Sequence, residues 1–207
     1  MVRTNSTMLP LGTEIPDFDL PIVNYGEGEN KKNQSSTFNR MKKALLLPKP
    51  ALFMFICAHC PFVKHIEKQL TSLDQDYGDQ LQIIAVSSNS LLTHPQDGPD
   101  QLANQAKVNK WRFPYLLDLD QSFASSLKAA CTPDFFLFGI GSHEEHKLMY
   151  RGQLDDSRPG NEIPVTGYDL RKAIDAVLNS IPLDDHQKPS IGCNIKWHPG
   201  KEPDWFS

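Results

Sequence analysis

The residues with the clearest chemistry are Cys57-Ala58-His59-Cys60-Pro61. They follow an apolar run, 51–56, and precede a segment with helical apolar spacing that begins at Phe62. Two cysteines three positions apart, where a strand gives way to a helix, form a thiol–disulfide site. The first N–H groups of a helix lack intrahelical partners and its dipole is positive there, so a thiolate at that point is stabilised. Cys57 is therefore expected to be the exposed, acidified nucleophile and Cys60, one turn further in, the resolving thiol. A protonated His59 between them would stabilise the Cys57 thiolate further. Pro61 suits the first helical position, where its missing N–H costs nothing. The same cysteine spacing can also supply half of a zinc site. Cys131 and Cys193 are each isolated and do not complete a four-thiolate set, although His59 and His65 keep a metal-binding or carrier reading open.

These residues need elements to hold them. The run 51–56 reads as a strand buried on both faces. Val63, Ile66, Leu70, Leu73 and Tyr77 give the following helix one apolar stripe. A second buried strand is expected at 81–86, and a polar, proline-bearing loop at 87–99 leads into a helix at 100–110. A short strand at 115–118 and a helix at 121–130 follow. Segments 134–138 and 147–151 form an antiparallel hairpin around the turn 139–146. A last helix starts at a capping-box-like Thr166 and Asp169 and carries Leu170, Ile174, Val177 and Leu178 inward. Upstream lie an arm (1–16), a short strand at 18–23, a loop over 24–36 and a short helix at 37–47. The tail from 181 onward contains prolines that forbid a long helix, yet Ile191, Ile195, Trp197, Trp205 and Phe206 argue that it docks.

With 207 residues the chain makes one domain of ordinary size: a core over 51–180, an N-terminal arm and strand over 1–50 and a tail over 181–207. A formal net charge of −4 leaves no basic stripe for nucleic acid. No apolar run approaches the roughly 20 residues that span a bilayer, so no membrane partner is expected. The start lacks a secretory apolar stretch, and if residue 1 is the true start a cytoplasmic location follows. Four cysteines are too few for a disulfide scaffold and favour catalytic use in a reducing compartment.

The order of strand, cysteine pair, helix, strand, helix, hairpin and helix is that of an α/β thioredoxin fold, a central mixed sheet flanked by helices. An N-terminal extension, a peroxiredoxin-like insertion at about 87–130 and the C-terminal tail are added to it. The stretches FICAHCPFVKH (55–65), HPQDGP (94–99), ACTPDFFLF (130–138), YRGQLDDSRPGN (150–161) and KPSIGCNIKW (188–197) resemble the thioredoxin-like, redoxin (AhpC/TSA-related) proteins of bacteria. The chain departs from them at Ala58, where Asn is frequent. The resemblance implies a cis Thr132–Pro133 bond opposite the cysteines, with Thr132 presenting backbone groups to a substrate. It places Cys131 near the disulfide as either a redox thiol or a small buried residue. Arg151, with Asp155, Asp156 and Arg158, is a possible support beside the site, and Cys193 a possible third thiol able to pair with Cys131 or Cys57.

The leading function is a thiol–disulfide oxidoreductase. It needs no cofactor beyond the Cys57–Cys60 disulfide and no metal, and its partners are a protein or small-molecule disulfide and an upstream thiol reductant. A peroxiredoxin-like thiol peroxidase is the alternative. Its usual Pro-x-x-x-Thr/Ser-x-x-Cys pattern is incomplete: counting back from Cys57 finds Met54 and Pro50, and from Cys60 finds Cys57 and Phe53.

Overall fold

The computed structural model describes residues 3–24, 40–142 and 144–206. Its centre is strand β4 (Ala51–Phe55), every residue of which is buried. Strand alternation sends its side chains to two cores. Leu52 and Met54 face one with the helix stripes, and Ala51, Phe53 and Phe55 face the other.

Four strands extend the sheet around β4. They are β5 (Gln82–Ser87), β6 (Tyr115–Leu117), β8 (Asp134–Ile140) and β9 (His146–Gly152), in the order β6-β5-β4-β8-β9. β4, β5 and β6 run parallel, while β8 is antiparallel to both β4 and β9. The connecting helices are α1 (Pro61–Tyr77), α2 (Pro99–Asn109), α3 (Ser122–Ser126) and α4 (Tyr168–Leu178). This is the thioredoxin fold, with α2, β6 and α3 as the insertion.

The first face is covered by the stripes of α1 (Val63, Ile66, Leu70, Leu73) and α4 (Leu170, Ile174), and by Leu102 of α2. The second is covered by α3 and by chain outside the core. Phe18 of the arm packs on Phe53 and Phe123 with ring centroids 5.6 and 4.9 Å away. Each such ring contributes about 1.5–3 kcal/mol by leaving water, so the arm is part of the core.

Both termini join a second sheet. Strand β10 (Ile191–Asn194) pairs antiparallel with β1 (Arg3–Asn5) and with β7 (Cys131–Thr132). Beyond β10, Ile195 and Trp197 are buried, and Trp205 and Phe206 stack edge-on against Trp197.

Two expected elements differ. In place of a helix over 37–47, strand β3 (Arg40–Lys42) pairs with β2 (Asp19–Pro21), followed by one 3-10 turn, Lys43–Leu45. Residues 37–39, and nearly all of the expected loop at 24–36, lie outside the described residues. Met41 does point inward, but as a strand residue opposite Leu20, while Leu45 is exposed. The helix expected over 121–130 is only the five residues of α3, because the chain turns at Leu127–Lys128 to enter β7. At α4 the Tyr168 N–H bonds to the Thr166 hydroxyl, but Asp169 accepts from Gln153 and does not reach back.

Candidate active site

The main chain leaves the sheet after Ile56, whose N–H still bonds to Val86. Cys60 is the N-cap residue of α1, with Pro61 at the first helical position. Between them, Ala58 and His59 bridge from strand to helix, and three elements brace the bridge.

The first brace is Asp97, wholly buried at the end of the 3-10 turn Pro95–Asp97. Its Oδ1 accepts the backbone N–H of Ala58 (2.9 Å) and of His59 (3.1 Å). Its Oδ2 accepts the His59 ring Nδ1 (2.5 Å) and the Asn89 amide (2.8 Å). Burial pushes the Asp97 carboxyl up, but the hydrogen bonds from His59 and Asn89 outweigh it and hold the group below its ordinary range. The second brace is Gln105 of α2, whose amide donates to the Cys57 carbonyl at 3.2 Å.

The third brace is Thr132, which precedes Pro133 through a cis peptide bond. The Thr132 hydroxyl is 3.5 Å from Cys57 Sγ, and the Cys60 thiol lies 3.2 Å from the Thr132 carbonyl, to which it donates. One residue thus touches both sulfurs from opposite ends of its own structure.

The structure corrects the expected exposure and acidity of the pair. Cys57 is 1% exposed and Cys60 0%. Burial pushes the Cys57 thiol well up, and Cys60 and Asp97 add to this. Cys60 moves the other way, held far below its ordinary range by hydrogen bonds from Cys193 and Cys57.

The AhpC/TSA family profile matches residues 11–152. The chain belongs to the AhpC/TSA family. Two solved structures resemble this AhpC/TSA member over nearly their whole length. An uncharacterized conserved protein from Geobacillus kaustophilus is 40% identical, covers 97% of this chain and 98% of its own, and has a TM-score of 0.85. A hypothetical protein from Sinorhizobium meliloti is 40% identical, covers 95% and 100%, and has a TM-score of 0.83. A secreted Mycobacterium tuberculosis disulfide oxidoreductase shares the fold at 12% identity, covering 77% and 95%, with a TM-score of 0.54. No protein of curated function matches the sequence.

The remaining candidates separate clearly in this family member. Cys193 lies opposite Thr132 in the β7–β10 register and belongs to the same apolar cluster as Cys57 and Cys60. Cys131 is fully buried, faces the Pro133 carbonyl at 3.6 Å, and is pushed up by burial and by Asp134. Arg151 is not at the site. Its guanidinium bonds to the Leu9 carbonyl and to Gln187, both at 2.8 Å, and ties the arm to the tail segment. Asp155 is a loop anchor, accepting the N–H groups of Ser157, Thr166 and Gly167. Arg158 does approach the site, lining a narrow cleft with Phe62, His65, Pro133 and Ile191.

Residues that sequence reasoning passed over, Asn89, Asp97 and Gln105, hold the loop. Asp97 lies inside the 94–99 stretch singled out above, but nothing local separates a buried carboxylate there from a solvated one. Among the described residues, Cys57 Sγ, His59 Nδ1 and an Asp97 oxygen lie within 4.8 Å of one another, a group able to hold a cation. All four bonds at Asp97 are already donated by N–H groups, so a cation there would have to displace the loop's own anchor. Among the described residues no helix is long and apolar enough to cross a membrane.

Proposed function

We propose that this AhpC/TSA protein is a thiol–disulfide oxidoreductase working through Cys57 and Cys60. The observation that carries the reading is the contact of both sulfurs with Thr132, directly before cis Pro133, at the N-terminus of α1. Once its proton is lost, the Cys57 thiolate lies beside the Thr132 hydroxyl, which favours it. Cys57 lies next to the half-buried Ala58 and His59, whereas Cys60 is sealed beneath. The Cys57 thiolate attacks a substrate disulfide, forms a mixed disulfide and releases one substrate thiolate. Cys60 then attacks Cys57 Sγ, releases the second thiolate and leaves the Cys57–Cys60 disulfide. An upstream dithiol returns two electrons to restart the cycle. The cleft between Pro133 and Arg158 offers the adjoining surface for a substrate chain.

A Cys60→Ser variant tests this by arresting the cycle at the first step. A disulfide-linked partner on Cys57 is expected, released by dithiothreitol. Stable adducts on Cys60 in Cys57→Ser, with none on Cys57 in Cys60→Ser, would reverse the two roles.

One observation favours thiol peroxidase chemistry as a second reading. The Thr132 hydroxyl supplies from β7 the group that Met54 cannot supply within the peroxidatic pattern. Catalytic consumption of hydrogen peroxide that depends on both Cys57 and Thr132 would promote it.

A further inference from the structure

Cys60 stands between two sulfurs. One is Cys57, its partner in the motif; the other is Cys193 of the C-terminal strand β10, opposite the Thr132 whose carbonyl accepts the Cys60 thiol. The approach of β10 is close by construction. A Cβ on Gly192 would sit 2.1 Å from the Thr132 carbonyl oxygen, the atom that accepts the Cys60 thiol. Residue 192 therefore has no room for a side chain, and its absence sets Cys193 opposite Thr132 in register. Phe62, Cys57, Cys60 and Cys193 share one apolar cluster, and Cys193 is 2% exposed. Cys131, on the same β7 strand, pairs with Asn194 and bonds to a carbonyl, outside this cluster.

We infer that Cys193 is a second exchange partner of Cys60, so that the oxidised protein distributes between a Cys57–Cys60 and a buried Cys60–Cys193 disulfide. The inference rests on the Cys57–Cys60 redox pair proposed above. In the step, Cys193 loses its proton and its sulfur attacks Cys60 Sγ within the Cys57–Cys60 disulfide. The Cys60–Cys193 bond forms and the Cys57–Cys60 bond breaks. Cys57 leaves as thiolate and takes up the proton. No electrons enter or leave, so no further oxidant is required. The consequence is functional: Cys57 returns to the thiol form while the protein keeps its oxidising equivalent inside, covalently joining α1 to the tail. The neighbouring Cys60 sulfur and burial together push the Cys193 thiol up, so the exchange quickens as pH rises.

The test equilibrates the full chain, wild type and variants, in buffers of reduced and oxidised dithiothreitol. Acid quenching, alkylation and non-reducing peptide mapping follow. Wild type is expected to give both Cys57–Cys60 and Cys60–Cys193 peptides. Cys193→Ser and Cys193→Ala should lose the second completely and keep the first. Cys57→Ser should give Cys60–Cys193 alone. If oxidised wild type yields only Cys57–Cys60 and Cys193 remains free in Cys57→Ser, the inference fails while the proposed function stands. If wild type forms no Cys57–Cys60 disulfide at any potential, the proposed function itself fails and this inference with it. The wild-type measurement decides even if a variant folds poorly.

Discussion

The ring of His59 donates to the buried carboxylate of Asp97 at 2.5 Å, and the same carboxylate holds the backbone on which that ring is carried. The turn before α2 thereby sets the conformation of the two residues between the cysteines. His59 Nδ1 is also 3.9 Å from Cys57 Sγ, so the ring that flanks the thiol is itself held in place. Replacing Asp97 by Ala leaves two backbone N–H groups and the Asn89 amide without acceptors in a buried site. A stability loss of about 2–4 kcal/mol is expected. Urea unfolding measures it, and a loss under 1 kcal/mol would mean that the loop holds its shape without this anchor.

The Thr132 hydroxyl lies 3.5 Å from Cys57 Sγ, while Cys60 donates to the carbonyl of the same residue. Thr132→Val keeps the carbonyl and removes a donor that favours the Cys57 thiolate. In a Cys60→Ser background, alkylation of Cys57 at neutral pH should slow about fivefold, the equivalent of one neutral hydrogen bond. The pH profile of the reaction should move upward. An unchanged profile would assign the hydroxyl to packing.

What was legible in the sequence was local. The apolar run of β4, the cysteine spacing, Pro61 and the position of Pro133 are each short patterns with a direct physical meaning. What was not legible depends on contacts between distant segments. Phe38, Met41 and Leu45 have helical spacing, but Met41 is placed by cross-strand pairing with Leu20 and Arg40 by an ion pair with Asp19. Cys57 is in a position that is exposed when nothing lies above it. Here Asp97 and Thr132 come from 40 and 75 positions away and cover it. Arg151 sits in a conspicuous charged run, yet its partners are a carbonyl of the arm and Gln187.

Gly192 is the point at which the tail meets the site. An alanine there would place its Cβ 2.1 Å from one backbone atom, the Thr132 oxygen, and 2.6 Å from another, the Thr132 carbonyl carbon. Neither belongs to a flexible side chain, so β10 must move outward or β7 must shift. Gly192→Ala is expected to destabilise the fold by about 1–3 kcal/mol, the usual cost of overpacking. It should also alter thiol reactivity at Cys60, because the displaced carbonyl is its acceptor. Normal melting with unchanged Cys60 alkylation would show that the strand pair yields easily.

Asp134 follows Pro133, is fully buried, and has one oxygen, Oδ2, without a hydrogen-bond partner. Its Oδ1 accepts the Ser6 hydroxyl at 2.8 Å, and Ser6 in turn accepts the Ser190 N–H, so this carboxyl also joins arm and tail. Burial raises it to about 7, against the hydrogen bond from Ser6. Below about pH 4 both folded and unfolded chains hold this proton, and the group contributes no pH dependence. Between about 4 and 7 the unfolded chain releases the proton while the folded chain keeps it, so rising pH costs stability throughout that window. Above about 7 both states are ionised and the cost is constant, at most on the order of 4 kcal/mol for a shift of this size. Asp134→Asn keeps an oxygen for Ser6, removes the titration and places an N–H₂ where the orphan oxygen was. Its stability relative to wild type should therefore improve as pH rises from 4 to 8 and level off beyond. Paired urea denaturations at pH 4, 6 and 8 read this directly, and a difference independent of pH would mean that Asp134 ionises freely in the folded protein.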